Sequence, residues 1–217
     1  MIVLYGIRTE ALPEAEYLKA WIGPEWLSVW QERHPKLQRE ASVKQSLGAL
    51  SLLRCFGRGG ALSYERSGRP CLDGSPGGFS LAHTDSHCFC AVSGDDLCVG
   101  VDAEDVCGRE PDRLNAIGNR WFAAGEKGLF AEKPVEERFL EIWTRKEALS
   151  KYLGTGIAAA YREDTVRLAA EKRLYFQTIR KDQTVISVCT SEPSEAGDVL
   201  VRELSVFSEL RLPECID

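Results

Sequence analysis

The stretch FLEIWTRKEALSKYLGTGI, Phe139 to Ile157, constrains the fold more than any other part of the chain. At about 100° per residue, Ile142, Leu149 and Leu153 fall in one narrow stripe, which predicts an amphipathic helix with that stripe turned to a core. Gly154-Thr155-Gly156 stops the helix. Glu147 and Lys151 lie on the opposite side, about 40° apart, so both can face a common site. Their i, i+4 spacing equally permits a plain surface ion pair, worth a few tenths of a kcal/mol. Lys146 projects close to the apolar stripe, where a lysine must snorkel or find an anion. Trp143 borders the Glu147 face and leaves a large aromatic beside the charges.

Along the rest of the chain, MIVLYGI reads as a short strand, and residues 10–57 are mostly helical with breaks at Gly23-Pro24 and Pro35. The last of these helices, around Ser42–Phe56, carries Val43, Leu47, Leu50, Leu52 and Leu53 on one broad face and ends at a Gly-Arg-Gly-Gly run that includes Arg58. Two short strands near 61–65 and 70–72 are joined by Ser67-Gly68-Arg69. FSLAHTDSHCFCAVS, the turn Gly94-Asp95-Asp96 and LCVGVDAEDV read as two strands around an Asx-type turn, a hairpin. Two helices, 112–132 and 134–153, are split near Pro134, and strand-like segments such as RLYFQTI and VISVCT follow. The order predicts an α+β protein, and 217 residues are enough for a substantial core.

The longest apolar runs, such as Met1–Leu4, fall far short of the ~20 residues that cross a bilayer. The N-terminus has no pattern of a secretory signal, so a cytoplasmic protein with free thiols and no membrane partner is expected. Of eight cysteines, the last being Cys215, none forms a CxxC pair. His83, His87, Cys88, Cys90, Cys98 and Cys107 cluster in sequence without the paired spacing of a zinc site. The alternation in HCFCAVS instead reads as a strand with cysteine acting as a small hydrophobe. A net charge of −6 argues against a general nucleic-acid binder. Its distribution is uneven: residues 31–70 set eight lysines and arginines against three glutamates, and residues 71–117 set nine acids against two arginines. Most of these charges read as solvated faces, and the sharper reading of the division is a site with one wall for phosphate and another for a cation.

Three elements carry chemistry. In VGVDAED, residues 99–105, strand alternation puts Asp102 and Glu104 on one face and Val99, Val101 and Ala103 on the other. Two adjacent carboxylates repel unless a positive charge sits between them, and hard oxygen donors of this kind suit Mg²⁺. In SGRP, Ser67–Pro70, and SLAHT, Ser80–Thr84, Arg69 and His83 are suited to phosphate: arginine as a bidentate fork, histidine as a donor. The third element is the helix described first.

Taken in order, SGRP, FSLAHT, VGVDAE, the F-x-x-x-E of Phe122–Glu126 and WTRKEALSKYLGTGI resemble the 4′-phosphopantetheinyl transferase superfamily. The resemblance is to its larger, two-halved branch, which activates carrier proteins of fatty acid, polyketide and nonribosomal peptide synthesis. It spans roughly residues 42–157. It implies two pseudo-symmetric α+β halves packed together, 1–100 and 101–217, with the active site at their interface. The implied reaction moves the 4′-phosphopantetheine arm of coenzyme A to a serine of an apo acyl or peptidyl carrier protein and leaves adenosine 3′,5′-bisphosphate. By the same resemblance Asp102, Glu104 and Glu147 surround a Mg²⁺ held against the pyrophosphate, and Glu147 takes the serine proton. Lys146 and Lys151 neutralise the pyrophosphate, while Arg69, His83 and Thr84 hold coenzyme A. Lys44 stands where the family often has an arginine contacting the nucleotide. A two-halved member has its site within one chain and is expected to act as a monomer. Ala82 replaces a serine common in the family, and Ala103 replaces a larger aliphatic, but no implied metal ligand is lost. The alternatives are a noncatalytic relative that binds coenzyme A or a carrier protein, an unrelated Mg²⁺-dependent phosphohydrolase, and a zinc module.

Overall fold

Strand β1 (Ile2–Arg8) divides its side chains between two cores. Ile2 and Leu4 enter one, Ile7 enters the other, and the alternation of a strand does the sorting. β1 lies inside a four-stranded sheet in a computed structural model that describes residues 1–57, 60–75, 77–95, 97–129, 132–171, 173–191 and 199–210. Arg58, Asp96 and Cys215 lie outside the described residues.

Among the described residues the strands form three sheets. The first has the order β4 (Gly77–His83), β5 (His87–Asp95), β1, β9 (Leu200–Leu204), with β9 parallel to β1 and the other neighbours antiparallel. β2 (Leu62–Tyr64) and β3 (Pro70–Leu72) form a small ribbon. The third sheet is antiparallel, in the order β6 (Val99–Asp105), β8 (Thr184–Thr190), β7 (Tyr175–Lys181).

The two larger sheets pack on each other through Leu4, Phe89, Ala91, Val99, Val101, Ile186 and Val188. The outer face of the first is covered by α1 (Ala15–Ile22), α2 (Pro24–Arg33) and α3 (Glu40–Phe56). Cys88 and Cys90 pack there as small hydrophobes. The outer face of the third sheet is covered by α6 (Val135–Leu153), which places Ile142, Ala148 and Leu149 against it. The result is α+β in four layers, helix, sheet, sheet, helix. Among the described residues no helix is long and apolar enough to cross a membrane.

Three sequence expectations change. The hairpin is not formed by β5 and β6. It is formed by β4 and β5, around Thr84–Ser86, where the Thr84 hydroxyl accepts from the backbone N–H of Ser86 (3.2 Å) and His87 (3.1 Å). β6 leaves for the other sheet. The helix expected over 112–132 breaks after α4 (Pro111–Trp121), and α5 (Ala124–Leu129) follows, because the Glu126 carboxylate accepts from Ala123 N–H at 2.9 Å and starts a new helix. Leu153 does not continue the buried stripe of α6 but is 43% exposed.

Gly100 sets the spacing between β6 and α6. A Cβ there would collide with the Ala148 carbonyl oxygen and lie 2.6 Å from Tyr152 N, so the strand can approach the helix backbone only without a side chain. Gly100→Ala is therefore expected to destabilise the fold by about 1–3 kcal/mol, read as a lower denaturation midpoint in urea with an unchanged slope.

Candidate active site

The close approach at Gly100 brings the charged end of α6 onto the face of β6 that carries Asp102 and Glu104. Lys151 Nζ donates to Asp102 Oδ1 at 2.8 Å and to the Leu81 carbonyl at 3.0 Å, tying α6 to β6 and β4 together. Arg109 Nη2 donates to Glu104 Oε2 at 2.8 Å. The loop carrying Arg109 is pinned by Glu136, which accepts from the N–H groups of Cys107, Gly108 and Arg109. Glu147, one turn before Lys151, has no such cation of its own among the described residues. Leu81, Asp102, Glu104, Glu147 and Lys151 border a cavity of about 540 Å³, with the Arg109 loop outside its lining.

The electrostatics follow from that crowding. Burial raises the Glu147 carboxyl to about 7, with the Asp102 charge adding to it, Lys151 opposing and Glu104 adding a little more. Burial likewise raises Asp102 against the pull of Lys151, and raises Glu104, where Asp102 repels and Arg109 attracts. Three carboxylates thus compete for two side-chain cations on one cavity wall. Among the described residues no three histidine, cysteine or carboxylate side chains stand close enough together to hold a metal ion as they are placed. The donor set is nevertheless of the hard oxygen type that a divalent cation takes, and Lys151 and Arg109 are the charges with which such an ion would compete.

The same cavity is bordered by a cationic and aromatic wall. Arg69 reaches it from the turn between β2 and β3, and His83 from the end of β4. Desolvation lowers the His83 imidazole below its usual value, and the neighbouring Lys151 and His34 charges lower it further. Trp30 and Arg33 of α2, with His34 after it, complete the wall together with Tyr64 of β2. Trp30 is fixed by its indole N–H, which donates to Ser46 Oγ at 2.9 Å.

The cavity therefore unites Arg69, His83, Asp102, Glu104, Glu147 and Lys151. It does not include three other expected residues. Thr84 is buried and holds the β4–β5 turn. Lys44 of α3 is half-exposed and is not part of the cavity wall, to which α3 gives Ser46, Ala49 and Leu50. Lys146 is fully buried: its Nζ lies 3.0 Å from Glu126 Oε2 and donates to the Glu163 carbonyl at 2.6 Å. Its anion is a carboxylate of the protein, so the pyrophosphate role is corrected to a structural one. Sequence reasoning missed Trp30, Arg33, His34, Tyr64 and Arg109. Only for Arg33 was there a signal, its place in the basic run of residues 31–70.

The site thus sets three carboxylates against a cationic, ring-lined wall in one cleft of an α+β protein. Residues 98–199 match the family model of the 4′-phosphopantetheinyl transferase superfamily. The chain is 31% identical over 151 residues to the 4′-phosphopantetheinyl transferase psf-1 of Bacillus pumilus, a match covering 62% of this chain and 62% of the relative. It is also 31% identical over 134 residues to the 4′-phosphopantetheinyl transferase AcpT of Salmonella typhimurium, covering 60% of this chain and 67% of the relative. The AcpT of Salmonella typhi gives the same identity and coverage. The chain belongs to the 4′-phosphopantetheinyl transferase superfamily.

Proposed function

We propose that the protein transfers the 4′-phosphopantetheine arm of coenzyme A to a serine hydroxyl of an apo acyl or peptidyl carrier protein. The observation that carries the reading is the single cavity that joins Asp102, Glu104 and Glu147 to Lys151, Arg69 and His83. The serine oxygen attacks the pyrophosphate phosphorus next to the pantetheine arm. The bond from that phosphorus to the bridging oxygen breaks, and adenosine 3′,5′-bisphosphate leaves with the electron pair. Glu147 receives the serine proton, and a carboxyl group near pH 7 suits a base working at neutral pH. Lys151 faces the pyrophosphate charge; Arg69 and His83 hold coenzyme A. Asp102, Glu104 and Glu147 are the ligands offered to a divalent cation such as Mg²⁺, which when bound supplies charge neutralisation at the pyrophosphate oxygens.

The reading takes 1–100 and 101–217 as the two halves and puts the site between them, with Arg69 and His83 from the first and Asp102, Glu104, Glu147 and Lys151 from the second. A cavity complete within one chain supports action as a monomer, and cytoplasmic coenzyme A is the expected donor. The test is to incubate the protein with coenzyme A, Mg²⁺ and a panel of apo carrier proteins and to weigh the intact carriers. A carrier gains the mass of one phosphopantetheine, and Asp102→Ala removes that gain. Coenzyme A binding without any mass gain would favour the noncatalytic reading instead.

A further inference from the structure

We propose that Asp105 is a positioning residue for coenzyme A: by fastening the turn after His83 to β6, it sets the width of the cleft between His83 and Glu104. The inference rests on the transfer reading above. It starts from two strands that lie side by side without pairing. β4 is an edge of the first sheet and β6 an edge of the third. Where these edges meet, side chains join them in place of a backbone ladder. Ser80 Oγ accepts from Val101 N–H at 3.0 Å, and Lys151 Nζ bridges the Leu81 carbonyl and Asp102. The third join is Asp105, and it grips the chain beyond His83.

Glu104 borders the cavity, so Asp105, the next residue along the strand, faces the other side of β6. There its Oδ2 accepts from Ser86 N–H at 3.0 Å, and its Oδ1 accepts from the hydroxyls of Ser86 and Thr184, each at 2.7 Å. Two hydroxyls at that distance from one carboxylate oxygen each point their only hydrogen at it. His87 Nδ1, 2.8 Å from Ser86 Oγ, is therefore the donor in that contact. Ser86 is thus held through its N–H, its hydroxyl hydrogen and its oxygen lone pair together. β6 itself does not need Asp105 to stay in place, because it pairs with β8 at every residue from Val99 to Asp105. The turn has no such ladder: His83 pairs with Cys88 at the end of β4, and the chain then reverses. Breaking the link from Asp105 to Ser86 frees the His83 side of the cleft and leaves the Glu104 side standing.

The experiment measures coenzyme A binding by titration calorimetry, and KM and kcat in the transfer assay, on the whole chain. The variants are Asp105→Asn, Ser86→Ala, Thr184→Val, His83→Ala and the double variant of Asp105 and His83. Asp105→Asn keeps the shape but turns an acceptor oxygen into a donor; it weakens coenzyme A and raises its KM roughly tenfold, with kcat within about twofold. Ser86→Ala, which keeps the backbone N–H on Asp105, gives a smaller loss of the same kind and carries the test alone if Asp105→Asn does not fold. Thr184→Val removes a bond to the same carboxylate oxygen but leaves the links to Ser86; it lowers the melting temperature and leaves coenzyme A binding unchanged. In the His83→Ala background Asp105→Asn adds less than about twofold, because the loss runs through the histidine. Additive losses, or an equal loss in Thr184→Val, overturn the assignment by reducing Asp105 to a general support. A wild-type protein that does not bind coenzyme A refutes the transfer reading itself. Binding that ignores both Asp105→Asn and Ser86→Ala refutes only the role of Asp105.

Discussion

On the proposed transfer reading, glutamine in place of Glu147 is expected to slow phosphopantetheine transfer roughly 100- to 10,000-fold and to leave the protein folded. The side chain is half-exposed at the cavity wall and glutamine keeps its shape, so the loss is chemical. The pH dependence carries the same signature. Burial and the neighbouring Asp102 charge lift the Glu147 carboxyl to about 7, above its ordinary value of 4.5. Below that pH it already holds a proton and cannot take one from serine; above it the carboxylate is free. The wild-type rate therefore climbs with pH through about 7 and levels off, while the variant stays low and flat. Cation and proton compete for the same oxygens, so raising Mg²⁺ moves the climb to lower pH. Single-turnover assays with saturating carrier read all three features. A Glu147→Gln protein with the wild-type rate would remove this residue from the reaction.

The largest effect on stability is expected at Lys146 and Glu126, both fully buried and 3.0 Å apart. Glu126 also accepts from the Thr165 N–H at 3.0 Å and the Thr165 hydroxyl at 2.7 Å, and Lys146 reaches the Glu163 carbonyl. One ion pair thus fastens α5 and the 163–165 segment to the middle of α6. Removing one partner leaves a charge buried without its counterpart. Glu126→Gln or Lys146→Met is expected to cost about 3–5 kcal/mol, a large share of the roughly 5–15 kcal/mol that holds a protein folded. The corresponding fall in melting temperature is roughly 6–20 °C. Removing both charges costs less than the sum of the two single changes, because the orphan charge is gone. Additive costs in a double-mutant cycle would show that the two residues act separately.

The contrast between these two residues, neighbours at 146 and 147, explains what could be read in the sequence. Periodicity put Glu147 with Lys151 on one face of the helix and Asp102 with Glu104 on one face of the strand, and only the family resemblance joined the two elements in one site. Lys146 stood by the stripe and needed an anion, but its partner lay in a separate helix whose position depends on tertiary packing. The α+β class followed from the order of strands and helices. The hairpin did not, because Gly94-Asp95-Asp96 resembles a turn in sequence as strongly as Thr84-Asp85-Ser86 does, and only the pairing of β6 with β8 decides between them. Arg33, His34 and Tyr64 were hidden for a similar reason: each is an ordinary surface residue until α2 is laid across the β2–β3 ribbon.

The position of β9 has a consequence during synthesis. β1 is bordered on one side by β5 and on the other by β9, a strand near the far end of the described chain. A ribosome adding about 5–20 residues per second needs on the order of 10–40 s to deliver β9 after β1 has emerged. Throughout that interval one edge of β1 presents unpaired backbone donors and acceptors, the kind of edge that recruits strands from other nascent chains. The first sheet is therefore completed only after the chain as far as Leu204 has emerged, and its yield in the cell should depend on how well that edge is shielded while translation proceeds.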